Sequence, residues 1–550
     1  MNSLFSRLPA NIYVFVYADD ILLVVIASSP GLARRKIQGA VNAVAKWTES
    51  VGFTLSAVKS VRGHVCRYKH QLGSPAISIN GDRIPNKKIV RVLGVSIDRN
   101  LKFREHFNSV KASCKTRVNL IKTISKPHRS NNRDLRLRVA KALIDSRLFY
   151  GLELTCISRE LLCDILESTH NGYIRTISGL LPSTPAFSAC AEIGTLPFRM
   201  LLFKTLCQKA ATIAAKTSGS ERTFLLEECD RILRITTKAN LPPVAKVHWN
   251  GPISWQNPVI HVENSIKNSF RKGSESAALQ SAVRELVGSR YPYHNVRYTD
   301  GSLSSRGVGI GVFGPELDVS QSLAPECSVF SAEAAAIFTA ITTPSSKPIL
   351  VLTDSASVLA ALGSDKPKHP WIQGIIAAIQ TDTTLAWIPG HCKIAGNEAA
   401  DRLAGVGHEG QRFTSTVPLD DVKKWILRAV WNHWAALWNQ SRNQQLRKIK
   451  DTVSKWTDLQ SLRDQKKISR LRTGHARFAY NFGHGPFRIN CDICGVQNSV
   501  EHVICNCPQY NYPRETYGIS TSIRNALGDD AATIGALLVF LKEAGLYHQI

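Results

Sequence analysis

The stretch VRYTDGS, Val296–Ser302, with GVGIGVFG, Gly307–Gly314, just after it, decides how the middle of this chain is read. The first reads as a strand ending in an acidic turn at Asp300, the second as a glycine-bearing strand paired with it. SVFSAEAAAIFTAI, Ser328–Ile341, has the apolar spacing of a helix and presents Glu333. PILVLTDSASVLAAL, Pro348–Leu362, is a buried strand running into Asp354 and then a helix. LAWIPGHCKIAGNEAADRLAG, Leu385–Gly405, gives a strand, a loop carrying His391 and a helix holding Asp401. Each acid has a plain structural reading: Asp300 forms a turn, Glu333 sits on a helix surface, Asp354 caps a helix and Asp401 is a solvated charge. All four fall within about a hundred residues, at strand ends or on helices.

The wording around them, TDGS, AEAAA, TDS and GNEAAD, agrees in order and spacing with one family: it resembles the ribonuclease H fold and its Asp-Glu-Asp-Asp set. The resemblance implies that Asp300, Glu333, Asp354 and Asp401 hold two Mg²⁺ ions, with Mn²⁺ as an alternative. These would activate a water and stabilise the leaving 3′ oxygen of the RNA strand of an RNA–DNA hybrid. It implies that His391, ten residues before Asp401, shuttles protons or releases product.

Nearer the start, IYVFVYADDILLVVIA, Ile12–Ala27, places Asp19 and Asp20 inside an apolar run. The run is too short for a membrane span and lacks the uninterrupted centre of a signal peptide. Two buried strands, Ile12–Tyr17 and Ile21–Ala27, meeting at a polar turn fit better, and paired carboxylates there suit a divalent cation. YADD, Tyr17–Asp20, resembles the metal-binding turn of reverse transcriptases in its non-LTR (LINE-type) retrotransposon form. GFTLSAVKS, Gly52–Ser60, is similar to the palm segment that follows that turn, and RVLGVSID, Arg91–Asp98, to the hairpin where palm meets thumb. The family's polymerase also uses an aspartate on an earlier strand, and none of the sixteen residues before Tyr17 is acidic. Asp19 and Asp20 alone hold half of a two-metal site, so they read as a remnant polymerase turn whose RNA-directed DNA polymerase activity is expected to be lost through truncation.

The 550 residues are 44% hydrophobic, enough for several domains with their own cores, and carry a net charge of +27 with pI near 9.7. That excess predicts a polyanionic partner, nucleic acid rather than membrane. Most of the thirteen cysteines stand singly in apolar context, and no secretory signal accompanies them, so an intracellular, reducing compartment is expected. From Lys102 to about Ala215 the pattern is helical, and ten Lys/Arg face the single acid Asp134 between Lys111 and Lys141. Its place after the palm remnant makes this a thumb that lies along duplex phosphates. Thr217–Arg290 reads as a linker, with four prolines in Leu241–Pro258.

Trp431, Trp434 and Trp438 share one helical face and read as core. Eleven Lys/Arg against three aspartates then run from Arg442 to Arg477. Within CDICGVQNSVEHVICNCPQY, Cys491–Tyr510, the residues Cys491, Cys494 and His502 with either Cys505 or Cys507 have the ligand types and compact spacing of a Zn²⁺ site. Cys507 is preferred because HVICNCP then matches the His-x4-Cys-Pro wording of the segment that follows ribonuclease H in some of these elements.

The expected architecture is multidomain α/β: a partial reverse-transcriptase palm over 1–100, a helical basic thumb over 101–216, a linker over 217–290, a mixed-sheet ribonuclease H domain over 291–410 and a helical basic C-terminal region over 411–550 with its zinc segment at 491–507. The expected function is metal-dependent cleavage of RNA–DNA hybrids within a truncated retrotransposon polyprotein. The rival is a catalytically silent nucleic-acid-binding relic.

Overall fold

A computed structural model describes all residues except 1, 66–75, 125–132, 153–159, 217–239, 247–259, 271–274, 316, 365–366, 442–444, 458, 460, 482–486 and 489. The chain divides into two compact units, Met1–Arg199 with Asn443–Ile550, and Met200–Arg442.

The first unit opens with the hairpin β1 (Tyr13–Tyr17) and β2 (Asp20–Val24). Tyr17 pairs with Asp20, so Ala18 and Asp19 form the turn, and Ala18 takes a φ of +51° to close it. The expectation of two buried strands is corrected. Exposure alternates along β1, with Tyr13, Phe15 and Tyr17 facing solvent, because only one face of the hairpin is covered. Val16, Ile21 and Leu23 on the other face pack against Leu4, Val44 and Trp47. The last two belong to α1 (Pro30–Ser50), which starts with proline and is capped by the Ser29 hydroxyl, acceptor of the Leu32 N–H at 3.3 Å. Asp19 and Asp20 are exposed. Two further hairpins follow, β3 (Ser78–Ile79) with β4 (Asp82–Arg83) and β5 (Ile89–Val92) with β6 (Val95–Asp98). Then come helices, among them α2 (Arg104–Ile124), α3 (Arg133–Ala140), α4 (Glu160–Ser178) and α5 (Ala186–Ile193).

At the end of α5 the carboxylate of Glu192 is fully buried. It accepts hydrogen bonds from Trp456 Nε1–H and the Ser469 hydroxyl, both 2.7 Å, with the Arg133 and Arg472 guanidinia at 3.8 and 3.6 Å. Arg472 also lies 3.8 Å from the centroid of the Trp456 ring. The second basic run is therefore not one solvated helix face. Lys450 donates to the Ala191 carbonyl at 2.7 Å, Lys467 to that of Tyr547 at 2.5 Å and Arg472 to that of Leu527 at 2.8 Å, all three buried. Arg442 lies outside the described residues.

The second unit is organised by a six-stranded mixed sheet. Of the expected linker, 217–239 and 247–259 lie outside the described residues. The described residues between 261 and 290 include β7 (His261–Glu263), α6 (Ser265–Ser269), α7 (Ser276–Glu285) and a π-type turn, Leu286–Arg290. There follow β8 (Asn295–Ser304), β9 (Gly307–Gly314), β10 (Leu317–Leu323), α8 (Val329–Thr342), β11 (Ile349–Thr353), α9 (Ala356–Leu362), α10 (Pro370–Ala378), β12 (Thr383–Trp387) and α11 (Ala395–Gly407).

The strand order is β10-β9-β8-β11-β12-β7, antiparallel across the first three and parallel from β8 onward. β11, ILVLT, is buried at every position, as a parallel strand covered on both faces requires. In β9 a Cβ on Gly309 or Gly311 would stand 2.0 Å from the carbonyl oxygen of Ala404 or Ala400, so these glycines let α11 lie against the sheet.

α12 (Leu419–Gln440) also belongs to this unit. Trp434 and Trp438 are fully buried, and Asp421 accepts from the Ser328 N–H at 2.9 Å and the Ser331 hydroxyl at 2.5 Å, which fixes α12 to the start of α8. Among the described residues no single helix is long and apolar enough to cross a membrane.

Candidate active site

The reading of β8 as ending at Asp300 is corrected: the strand runs on to Ser304, and Asp300 sits within it, paired with Gly311. Gly301 allows this, since a Cβ there would meet the Glu333 backbone nitrogen at 2.5 Å. The missing side chain lets α8 press against β8 beside Asp300. Arg297, buried three residues earlier on the same strand, donates to the carbonyls of Ala340, Thr343 and Pro344 at the far end of α8. It caps that helix and so sets where Glu333 lies along the strand. Sequence reasoning missed Arg297, although an arginine inside an otherwise apolar strand is a visible signal.

Asp354 follows the last residue of β11, and its backbone carbonyl accepts from Trp387 Nε1–H at 3.2 Å. One carboxylate oxygen each from Asp300, Glu333 and Asp354 lies within 4.8 Å of the others. Asp401, on α11, stands outside that group of three but acts on Asp300, whose carboxyl it helps to raise.

Burial dominates the electrostatics. It raises the Asp300 carboxyl to about 7, with the charges of Asp354 and Asp401 and the Asp401 hydrogen bond acting in the same direction. It raises Glu333 to about 9, helped by Asp300 and Asp354. Asp354 is also raised by burial, against a lowering from His391. The buried Oε2 of Glu333 has no hydrogen-bond partner among the described residues. His391 is exposed on the loop after β12. A Cβ on the neighbouring Gly390 would lie 2.3 Å from Asp354 Oδ2, so only glycine lets this loop come so close.

In the first unit, one ligand atom each from Cys491, Cys494, His502 and Cys507 lies within 4.8 Å of the rest, and the sulfurs of Cys491 and Cys507 are 3.8 Å apart. A turn makes the first half: Gly495 N–H donates to the Cys491 carbonyl at 2.8 Å, and Gly495 has a φ of +68°. The His502 hydrogen bond brings the Cys491 thiol down to about 6, whereas burial and the neighbouring thiols hold Cys494 up at about 11. Cys505 is buried outside this group. Asp19 and Asp20 join no third acid, His or Cys in a ligand cluster among the described residues.

Residues 293–409 match the RNase H family. The chain is also similar to the RNA-directed DNA polymerase from mobile element jockey of Drosophila melanogaster, 24% identical over 170 residues, which is 31% of this chain and 18% of that protein. The jockey polymerase of Drosophila funebris is 22% identical over 178 residues, 32% of this chain and 19% of that protein. A putative 115 kDa protein in type-1 retrotransposable element R1DM of Drosophila melanogaster is 29% identical over 115 residues, 20% and 11% of the two chains. These similarities support reading the chain as related to the LINE-type retrotransposon polyproteins. The matched stretch spans less than a fifth of each of these relatives. The RNase H match supports a hydrolase of the ribonuclease H type, and the four candidate acids stand on β8, on α8, just after β11 and on α11 of one sheet-and-helix unit.

Proposed function

We propose that the Met200–Arg442 unit hydrolyses the RNA strand of RNA–DNA hybrids, with Asp300, Glu333, Asp354 and Asp401 holding divalent cations. The observation that carries this reading is the meeting of three carboxylates within 4.8 Å in a buried setting that drives two of them to retain protons near neutrality. Like charges so placed oppose one another unless a cation lies among them. The donor set fits a hard ion: every ligand atom is a carboxylate oxygen, and Glu333 Oε2 lacks a protein partner among the described residues. When bound, such ions supply an activated water and stabilise charge on the leaving oxygen. The protein's own part is placement. Arg297 and Gly301 fix Glu333 against Asp300, Gly390 brings the loop against Asp354, and the exposed His391 imidazole there moves a proton at Nδ1 or Nε2 between this site and solvent.

The cysteines and histidine at 491–507 offer the thiolate and imidazole donors of a tetrahedral zinc site that would cross-link the C-terminal stretch. Nucleic acid is the partner, and exposed Lys111, Lys115 and Lys122 on α2 are the groups placed to meet phosphates.

The test is cleavage of a labelled RNA–DNA hybrid with Mg²⁺ by the full chain. Asp354→Asn should abolish cleavage and leave hybrid affinity within about twofold of wild type, the pattern of a residue that acts only on the chemical step. Cleavage at the wild-type rate removes Asp354 from the site. A wild-type chain that binds hybrid and cuts nothing makes the catalytically silent reading the correct one.

A further inference from the structure

The loop carrying His391 is held from outside by a segment that precedes the residues matched to RNase H. That segment begins at β7, which adds a parallel sixth strand to β12 through Thr384↔His261, Leu385↔Val262 and Ala386↔Glu263. Glu263 ties its two ends together, accepting from the Ser265 N–H at 2.7 Å and from Arg290 at 3.1 Å. Leu279 and Val283 of α7 are buried in one cluster with Ile388 and Ile394, the residues that flank the His391 loop, and Cys392 of the loop packs on the same cluster.

The loop has a conformation that calls for support. His391 and Lys393 have φ of +56° and +57°, in the left-handed region that side-chain-bearing residues adopt at a cost. Gly390 is pressed against Asp354 on the inner side. On the outer side, Gln280 of α7, half-buried, donates from Nε2 to the Cys392 carbonyl at 2.9 Å.

We propose that Gln280 is a positioning residue: it clamps the backbone at Cys392 and so holds His391 in register with Asp354. The proposal rests on the hydrolase reading for its catalytic consequence, but the clamp itself can be measured without any cleavage.

Gln280→Met keeps the side-chain length and helix propensity and lacks the N–H donor. Cys392 reports the loop, because it and Cys494 are the two free cysteines that are not fully buried among the described residues. In the full chain the alkylation rate at Cys392, read on its own peptide, should rise about 2- to 10-fold in the variant, the factor that an ordinary neutral hydrogen bond is worth. Cys494 should label as before. Hybrid cleavage should slow by a similar factor at unchanged hybrid affinity, and Gln280→Lys, which restores a donor, should recover both. Adding Gln280→Met to His391→Ala should cause no further loss, since the two act through one group.

Unchanged Cys392 labelling overturns the proposal, and so does a loss that adds in full to that of His391→Ala. A wild-type chain that cuts no hybrid overturns the hydrolase reading alone, and the labelling then decides the clamp.

Discussion

Replacing Glu333 by glutamine should stabilise the metal-free protein while destroying its cleavage. Burial, with Asp300 and Asp354 nearby, raises the folded-state carboxyl from 4.5 to about 9. As pH rises, the unfolded chain therefore releases this proton first, and stability falls between about pH 4.5 and 9 because the unfolded state binds fewer protons than the folded one. At pH 7 the difference costs the fold about 3 kcal/mol, at about 1.4 kcal/mol for each decade of proton concentration between 4.5 and 7. A glutamine amide in its place cannot ionise in either state and escapes that cost. Urea titrations in EDTA, followed by hydrogen exchange in peptides of β8, β11 and α8, isolate the second unit from the first. Glu333→Gln should be more stable by about 3 kcal/mol at pH 7, an upper figure, and the advantage should vanish below about pH 4.5, where both states are protonated. Mg²⁺ should stabilise wild type more than the variant, by mass action on the folded state. A variant less stable than wild type in EDTA at pH 7 would show that Glu333 is not held against its charge, and the case for a cation among these acids would lose its electrostatic support.

Purified protein should contain about one equivalent of zinc, lost in Cys494→Ser together with stability of the first unit, as read by elemental analysis and melting. Glu192→Gln leaves two buried guanidinia facing a neutral amide and should cost the first unit about 3–5 kcal/mol, with hybrid cleavage per folded molecule unchanged. Changing Lys111, Lys115 and Lys122 to glutamine together should flatten the plot of log hybrid affinity against log salt by about 0.9 for each phosphate no longer neutralised; an unaltered slope would return these lysines to a solvated helix face.

Glu333 and Asp354, which the structure brings to Asp300, each stand beside a strong local signal: an apolar strand before Asp354, an alanine-rich helix around Glu333. The extent of β8 was not legible in the sequence. Turn-forming Asp-Gly suggests an end after Asp300, and only the approach of α8 explains why glycine is needed inside a strand. The tryptophan stripe read correctly for Trp434 and Trp438, which are core. Charge runs read poorly in one place. Lys450 and Arg472 look like solvated cations in sequence, but their acceptors, the Ala191 carbonyl and Glu192, lie more than 250 residues away in the chain. The hold of Gln280 on the His391 loop is hidden for the same reason, with 112 residues between donor and acceptor.

The split of the first unit across the chain sets an order for its making. Glu192 leaves the ribosome before all of Met200–Arg442, and its donors Trp456 and Ser469 come only afterwards. At about 5–20 residues per second, the intervening stretch alone takes about 10–50 s to translate. During that interval the whole second unit is translated, while the Glu192 carboxylate, with Arg133 already made, still lacks Trp456, Ser469 and Arg472. The first unit is thus the later to be completed although its beginning is made first, and a ribosome that stops just past Arg442 would release the whole second unit attached to an unfinished companion.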